Sequence, residues 1–154
     1  MDPAKPTLFI QPFTSTSHKN WPLDRYLAAA GLWQRRGLQV LFSCGPAERT
    51  ALEPAREAGF PTSAGTSLLV TAGLMKLSTL ILGGDTGLLH LAVAMDQRVI
   101  MMMNSIGPGS AYPFQHPDWT VTPANGQSVA AISTDAVDEA CGRTFAALGV
   151  QATR

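Results

Sequence analysis

Three short segments combine glycines, hydroxyl side chains and single charged groups in a way that suits the binding of an anion. They are TSTSHKNW (14–21), SCGPAE (43–48) and GGDTG (83–87), and each lies at the end of an apolar run. Small residues let a ligand approach the backbone, hydroxyls donate hydrogen bonds, and a helix start offers unpaired N–H groups with a partial positive charge. Together the three segments predict a phosphate-binding surface.

The GGDTG segment is the most distinctive of the three. Its glycines can adopt dihedral angles that other residues avoid, and the N–H groups of Thr86, Gly87 and Leu88 are expected to point out of a helix start. In the alternative interpretation, Asp85 or Thr86 only caps that helix. His90 lies one turn further on, where it is either a satisfied buried side chain or a group that faces the same ligand as Asp85.

Lys19 and Glu48 are charged residues of the other two segments. Beside a diphosphate Lys19 would act as a point charge, and the alternative is an ordinary solvated lysine. Glu48 would bind the hydroxyls of a ribose, as an acid does in dinucleotide folds, or would only complement a helix dipole. A further loop, NSIGPGSAYPFQHPD (104–118), forms a wall for a substrate or packs its own aromatic residues at the surface.

Alternating strands and helices are predicted to position these segments. Apolar runs predict strands at 7–13, 38–44, 79–84 and 98–103, with shorter strands at 61–64 and 119–122. Helical patterns cover 22–36, 47–58 (weakened by Pro54), 67–77, 86–95 and 133–148. Continuous apolar strands that alternate with helices predict an α/β, Rossmann-like parallel sheet with helices on both faces. In such a sheet the three segments fall at the carboxyl ends of strands, where ligands bind.

Composition narrows the class of protein. The 154 residues suit one domain, and 45% hydrophobic residues against 14% charged ones allow a sizeable core. With 11 basic and 11 acidic residues the formal net charge is zero, so we expect no nucleic-acid partner. Asp85 and Glu48 are the candidate metal ligands and form no cluster, so we expect no metal or other cofactor.

The cysteines and the N-terminus predict a cytoplasmic chain. Cys44 and Cys141 lie far apart without a CxxC motif and are expected to be reduced thiols. The N-terminus MDPAKPTLFI is too short and too rich in proline for a signal peptide. No apolar run reaches the ~20 residues that a membrane span requires.

Four segments, taken in order and spacing, resemble one known family. QPFTSTSHKNWPLDRY, VLFSCGPAE, LILGGDTGLLHLAVAM and ISTDAVDEA are similar to the C-terminal half of the family 9 glycosyltransferases, the ADP-heptose:lipopolysaccharide heptosyltransferases of Gram-negative bacteria. The resemblance covers residues 7–148 and implies one half of a GT-B fold, in which two Rossmann-like domains enclose the active site. Residues 1–154 are then expected to be a single donor-binding domain that lacks the acceptor domain and is inactive alone.

The resemblance also implies roles for individual residues. Residues that contact the donor phosphates are Thr14, Ser15 and Lys19, with Thr16 in the same binding loop. Residues at the phosphate–sugar end are Asp85, Thr86 and Gly87, with His90 close behind. Glu48 resembles the acid that meets the ribose, and the adenine would lie near Thr66, Ser67 and Leu68. The catalytic base is expected on the acceptor domain, so no catalytic residue is assigned to this chain.

The implied reaction is the transfer of heptose from ADP-heptose to the lipopolysaccharide inner core, with inversion. The full-length enzyme would work at the inner face of the inner membrane, with peripheral membrane association. Two alternatives stay open: a GT-B domain for a UDP- or GDP-sugar, and a non-catalytic nucleotide-binding module. The loop NSIGPGSAYPFQHP differs from the FG-P-T-x-P type of sequence usual in the family at this place.

Overall fold

A six-stranded parallel sheet forms the centre of the molecule in the computed structural model, which describes residues 2, 4–124 and 126–150. The strands are β1 (Thr7–Gln11), β2 (Gln39–Cys44), β3 (Thr62–Ala64), β4 (Leu80–Gly84), β5 (Val99–Met102) and β6 (Thr120–Val121). Their spatial order is β3-β2-β1-β4-β5-β6, and every neighbouring pair is parallel. The predicted α/β, Rossmann-like sheet is therefore confirmed.

Among the described residues, five α-helices cover the two faces of this sheet. They are α1 (Leu23–Arg35), α2 (Glu53–Glu57), α3 (Leu68–Lys76), α4 (Gly87–Ala94) and α5 (Thr134–Ala147). Short 3₁₀ turns occupy Ser17–Lys19, Pro46–Glu48, Pro117–Trp119 and Val129–Ala131.

Alternate residues of each strand supply two separate cores. On one face Ile10 and Leu82 pack with residues of α1, α2 and α5, such as Trp33. On the other face Phe9 and Ile81 pack with residues of α3 and α4. The central strands are buried on both sides because helices cover both faces, which explains their uninterrupted apolar sequences.

The strand order reverses between β1 and β4, and this reversal locates the ligand crevice. The chain runs outward from β1 through β2 to β3, then returns to place β4 on the other side of β1. The connections that leave β1 and β4 therefore diverge to opposite faces and open a gap at the carboxyl ends of these strands. In open α/β sheets such a switch point is where ligands bind.

Two helix predictions fared differently. The C-terminal helix is capped as expected, since the Ser133 hydroxyl accepts from the N–H of Ala136 at 3.2 Å. The predicted helix 47–58 is wrong as one element, because a 3₁₀ turn and a bend precede a helix of only five residues. Pro54 does not weaken this helix but starts it, because a proline in the first turn lacks only an N–H that would stay unpaired there.

Candidate functional site

The loop after β1 is held in shape by its own hydrogen bonds. The N–H of Thr14 donates to Asn20 Oδ1 at 2.7 Å, and the Thr14 hydroxyl donates to the Thr16 carbonyl at 2.7 Å. The N–H of Thr16 returns a bond to Thr14 Oγ1 at 3.2 Å. The hydroxyl of Thr14 is thus used within the loop, whereas Ser15 is exposed at its tip. The following 3₁₀ turn presents Lys19.

Asp85 joins the loop after β4 to two cationic or potentially cationic side chains. Lys19 Nζ donates to Asp85 Oδ2 at 2.7 Å, and His90 Nε2 donates to Asp85 Oδ1 at 2.9 Å. The side chain of Asp85 is 20% exposed, against 38% for Lys19 and 36% for His90. The carboxylate therefore lies beneath the two nitrogen groups and fixes both at the switch point.

Burial and the neighbouring side chains have opposite effects on the pKa of Asp85. Burial favours the neutral acid and raises the pKa, but the hydrogen bonds from Lys19 and His90 and their positive charge act in the opposite direction. The net result is a pKa below the usual value for an aspartate. Asp85 is therefore a carboxylate at neutral pH, with its negative charge directed at its partners.

Two glycines before Asp85 are required by packing and not by unusual dihedral angles. A Cβ atom on Gly84 would lie 2.7 Å from Thr14 Cγ2 and 3.2 Å from the Lys19 carbonyl oxygen. A Cβ atom on Gly83 would lie 2.6 Å from the Gln11 carbonyl oxygen. Gly83, Gly84 and Gly87 all lie outside the left-handed region, so the prediction of special dihedrals is wrong. Their small size instead lets the β4 loop pack directly against the β1 loop.

The start of α4 combines a cap with open space. Thr86 is the N-cap, and its hydroxyl accepts from the N–H of Leu89 at 3.3 Å. The N–H groups of Gly87 and Leu88 precede this bond and have no acceptor within the helix. Apart from its chain neighbours and the backbone of α4 itself, no atom of the described residues lies within 4 Å of the place where a Cβ atom on Gly87 would stand. The capping interpretation of Thr86 is confirmed, and the first turn stays accessible to an anion.

A cleft of about 340 Å³ opens beside Lys19 and Asp85. We call it the Lys19–Asp85 cleft. Its opposite wall includes residues of the loop 104–118, the candidate substrate wall, namely Asn104, Ser105, Gly109, Ser110 and Ala111. Met102, Met103 and Val129 complete this wall and were not assigned from the sequence. Asn104 Oδ1 accepts from the N–H of Val129 at 3.0 Å, which ties the loop after β5 to the 3₁₀ turn at 129–131. The only signal in the sequence was the small and polar composition of 104–118.

The remaining predicted residues lie beyond β2 and β3, on the other side of the switch point. Glu48 ends the 3₁₀ turn after β2, and its carboxylate bends back over Gly45. Arg49 Nη2 donates to the Ala64 carbonyl at 3.2 Å, which joins this turn to the loop after β3. In that loop the exposed Thr66 hydroxyl is 3.0 Å from Thr71 Oγ1.

Ser67 and Leu68 begin α3 next to this loop. The Ser67 hydroxyl caps α3 by accepting from the N–H of Val70 at 3.3 Å, and Leu68 is 60% exposed. The structure thus places the predicted residues in two groups at one edge of the sheet. At the centre Lys19 and His90 both contact Asp85, and Glu48 and 66–68 flank this group.

Comparison with known sequences identifies the family to which this arrangement belongs. The sequence profile described as glycosyltransferase family 9 (heptosyltransferase) matches residues 1–134. The chain belongs to this family. The resemblance inferred from the phosphate-binding segments is therefore confirmed for family 9. No curated protein sequence matches the chain at a significant level.

Solved structures share the fold of this family 9 chain. The E. coli ADP-heptose LPS heptosyltransferase II superposes with a TM-score of 0.81 at 21% identity, over 94% of this chain and 48% of that one. A family 9 glycosyl transferase from Veillonella parvula gives 0.80 at 17%, over 96% and 48%. The E. coli heptosyltransferase WaaC with ADP gives 0.77 at 22%, over 94% and 46%. The chain spans about half the length of these proteins, and its sheet is one half of a GT-B fold.

The described residues contain neither a cluster of metal-binding side chains nor a membrane-spanning helix. Residues 2, 4–124 and 126–150 hold no group of three or more His, Cys, Asp or Glu that could hold a metal ion. In the same part of the chain, no helix combines the length and apolar character needed to cross a membrane.

Proposed function

We propose that this chain is the donor-binding domain of a heptosyltransferase that transfers heptose from ADP-heptose to the lipopolysaccharide inner core with inversion. The observation that carries the proposal is the meeting of Lys19, from the loop after β1, with the start of α4, from the loop after β4, at the switch point. A cation and a set of unpaired N–H groups in one crevice suit a diphosphate. Membership of family 9 supports the choice of reaction.

In this proposal the domain stabilises the departing ADP. Negative charge grows on the diphosphate as the bond to the sugar breaks. Hydrogen bonds donated by Lys19, Ser15 and the first turn of α4 stabilise that charge. Asp85 is a positioning residue, because it holds Lys19 and His90 and has its own charge compensated by them. Such fixed donors do the work of a metal ion, and a base from the second domain would deprotonate the acceptor.

The order of the strands suggests how the donor lies. Glu48 and residues 66–68 stand over β2 and β3, the cationic group stands over β1 and β4, and the Lys19–Asp85 cleft lies over β4 and β5. A donor whose ribose meets Glu48 and whose adenine lies near 66–68 therefore has its diphosphate at Lys19. Its sugar then points into the cleft. We further propose a cytoplasmic enzyme that reaches its lipopolysaccharide acceptor at the inner face of the inner membrane, by peripheral association.

Calorimetric titration of the 154-residue chain with ADP, UDP and GDP tests the proposal. ADP is expected to bind at least about tenfold more tightly than the other two, and ADP-heptose is expected to compete with it. No heptose transfer is expected from this chain alone. Absence of ADP binding by the folded chain contradicts the donor-domain proposal, and a preference for UDP or GDP transfers it to another donor. Transfer activity of the chain alone contradicts the need for a second domain.

A further inference from the structure

A second groove, which the donor proposal leaves unused, runs along α4 on the far side of His90. It holds about 240 Å³ between α4 and the loop at 112–119, and we call it the α4 groove. His90 lines the α4 groove, while its partner Asp85 lines the Lys19–Asp85 cleft. The bond between His90 Nε2 and Asp85 Oδ1 at 2.9 Å joins the two walls. The α4 groove therefore begins next to the place proposed for the reaction.

One wall of the α4 groove is aromatic and well supported. Trp119 is only 3% exposed, and the ring of His116 stacks on it with centroids 3.9 Å apart and planes 8° apart. The guanidinium carbon of Arg98 lies 5.2 Å from the Trp119 ring centroid. Phe114 projects from this supported loop and is 75% exposed. A large aromatic ring left in water on a packed loop is a recognisable binding feature.

The facing side of the α4 groove is polar. Asp96, just beyond the end of α4, has a φ of +60°, a conformation that glycine or asparagine usually provides at a helix end. A carboxylate at this end also meets the negative end of the helix dipole. Within the described residues Asp96 has no ion-pair partner. Gln115 and His90 add an amide and an imidazole to the lining.

This combination suits a neutral sugar ring. A sugar presents an apolar face of C–H groups, which an exposed aromatic ring can cover, and a rim of hydroxyls, which carboxylate, amide and imidazole groups can bind. An anion would meet the charge of Asp96, and a wholly apolar ligand would leave the polar groups of the lining without partners. The lining of the α4 groove therefore favours a neutral sugar over an anion or a wholly apolar ligand.

We propose that the α4 groove binds a neutral sugar unit of the acceptor saccharide, with Phe114 covering the ring face and Asp96 accepting from its hydroxyls. This inference rests on the proposed function, because it takes the acceptor to be a carbohydrate. It adds an acceptor subsite to the domain that binds the donor. The unit in the α4 groove is a neighbour of the sugar that receives heptose, because the groove leads away from the Lys19–Asp85 cleft along α4.

Titration of the ¹⁵N-labelled chain with methyl α-D-mannopyranoside, followed by amide and indole chemical shifts, tests the inference. Binding in the range of about 1–10 mM is expected, with shifts at 90–96, 112–116 and the Trp119 indole. Saturating ADP is expected to leave these shifts in place. Phe114→Ala is expected to weaken binding of the sugar about tenfold, and Asp96→Asn is expected to weaken it about threefold. Leu69→Ala is the matched control, because Leu69 is an apolar residue 85% exposed on α3.

Three results would each overturn the inference. They are the absence of shifts at about 50 mM sugar, loss of the sugar shifts on adding ADP, and equal affinity in the Phe114→Ala and Leu69→Ala variants. Failure of the donor proposal would be visible separately as a lack of ADP binding in the same samples. Sugar binding without ADP binding would leave the α4 groove as a saccharide site and reject the donor role.

Discussion

Removal of charge from the pair formed by Lys19 and Asp85 is the sharpest test of the proposal that this domain binds a diphosphate. A hydrogen bond to a charged group contributes roughly 1.5–3 kcal/mol. Lys19→Ala is therefore expected to weaken ADP binding by about tenfold to a hundredfold. Much of the strength comes from orientation, since Lys19 Nζ is already held 2.7 Å from Asp85 Oδ2 before a ligand arrives.

Asp85→Asn acts in two opposite directions. It removes a negative charge near the diphosphate, which favours binding, and it releases Lys19 and His90 from their shared acceptor, which disfavours binding. A partly exposed ion pair of this kind contributes up to about 1 kcal/mol, and the loss of orientation is offset by the lost repulsion. We therefore expect Asp85→Asn to change ADP affinity by less than about fivefold.

The double variant separates positioning from direct contact. If Asp85 acts through Lys19, the variant with both changes binds ADP no more weakly than Lys19→Ala alone, with a coupling of roughly 0.5–1 kcal/mol. Arg143→Ala is the matched loss of one cation, because Arg143 pairs with Glu139 on α5 and lines a different depression together with Arg98. Titration calorimetry at low and moderate salt measures the ADP affinity of the wild type and of all four variants.

Three results would refute this reasoning. Additive losses from Lys19→Ala and Asp85→Asn would show that the carboxylate contacts the ligand itself and does not act through the lysine. Tenfold tighter binding by Asp85→Asn would show that the carboxylate only repels the nucleotide. If Arg143→Ala weakened ADP binding as much as Lys19→Ala does, Lys19 would contribute only to the overall charge of the domain and not to a specific contact.

Three further outcomes follow from the same geometry. Gly84→Ala is expected to destabilise the fold by about 1–3 kcal/mol in urea unfolding, because its methyl group has no room. Gly87→Ala is expected to keep or slightly raise the stability but to weaken ADP binding, because its methyl group enters the open face of α4. Equal unfolding midpoints of the two variants would contradict this. Because the pKa of Asp85 is lowered in the folded chain, its ionised form stabilises the fold above about pH 3.9, and this stabilisation is lost as the pH falls through the pKa of the folded state. The difference in unfolding free energy between the wild type and Asp85→Asn should therefore close as the pH falls below about 4. A constant difference would show that the bonds of Asp85 to Lys19 and His90 do not contribute. EDTA is expected to change ADP affinity by less than about twofold, and a loss that Mg²⁺ restores would contradict metal-independent binding.

The architecture could be predicted from the sequence because the strands carry a redundant signal. Each central strand is apolar on both faces and lies between helical patterns, so a small error at a boundary leaves the parallel sheet unchanged. The strand predicted at 7–13 ends at Gln11, for example, and the sheet is unaffected. Local signals were less reliable around Pro54, which the pattern placed in the middle of a longer helix and which lies in the first turn of α2.

The contacts of the site depend on strand order, which no local pattern encodes. Lys19 and Asp85 are 66 residues apart and meet only because β1 and β4 are neighbours. The sequence predicted that both lie at the carboxyl edge, but not that they bond. It marked the loop 104–118 as a candidate substrate wall, but it did not predict that Asn104 and Ser105 line the Lys19–Asp85 cleft, which follows from the position of β5 beside β4.

The chemistry of the GGDTG segment is distributed differently from its first interpretation. The residues that seemed most suited to touch a phosphate are used to build the site: Gly84 admits Thr14, Thr86 caps α4, and Asp85 holds Lys19. An acid beside a diphosphate would be tolerable because its carboxylate already pairs with Lys19 and accepts a hydrogen bond from His90. In the proposed function the ligand meets the groups that these residues leave free, namely the first N–H groups of α4 and the ammonium group of Lys19. Their rigidity would allow them to stabilise a leaving group without rearrangement.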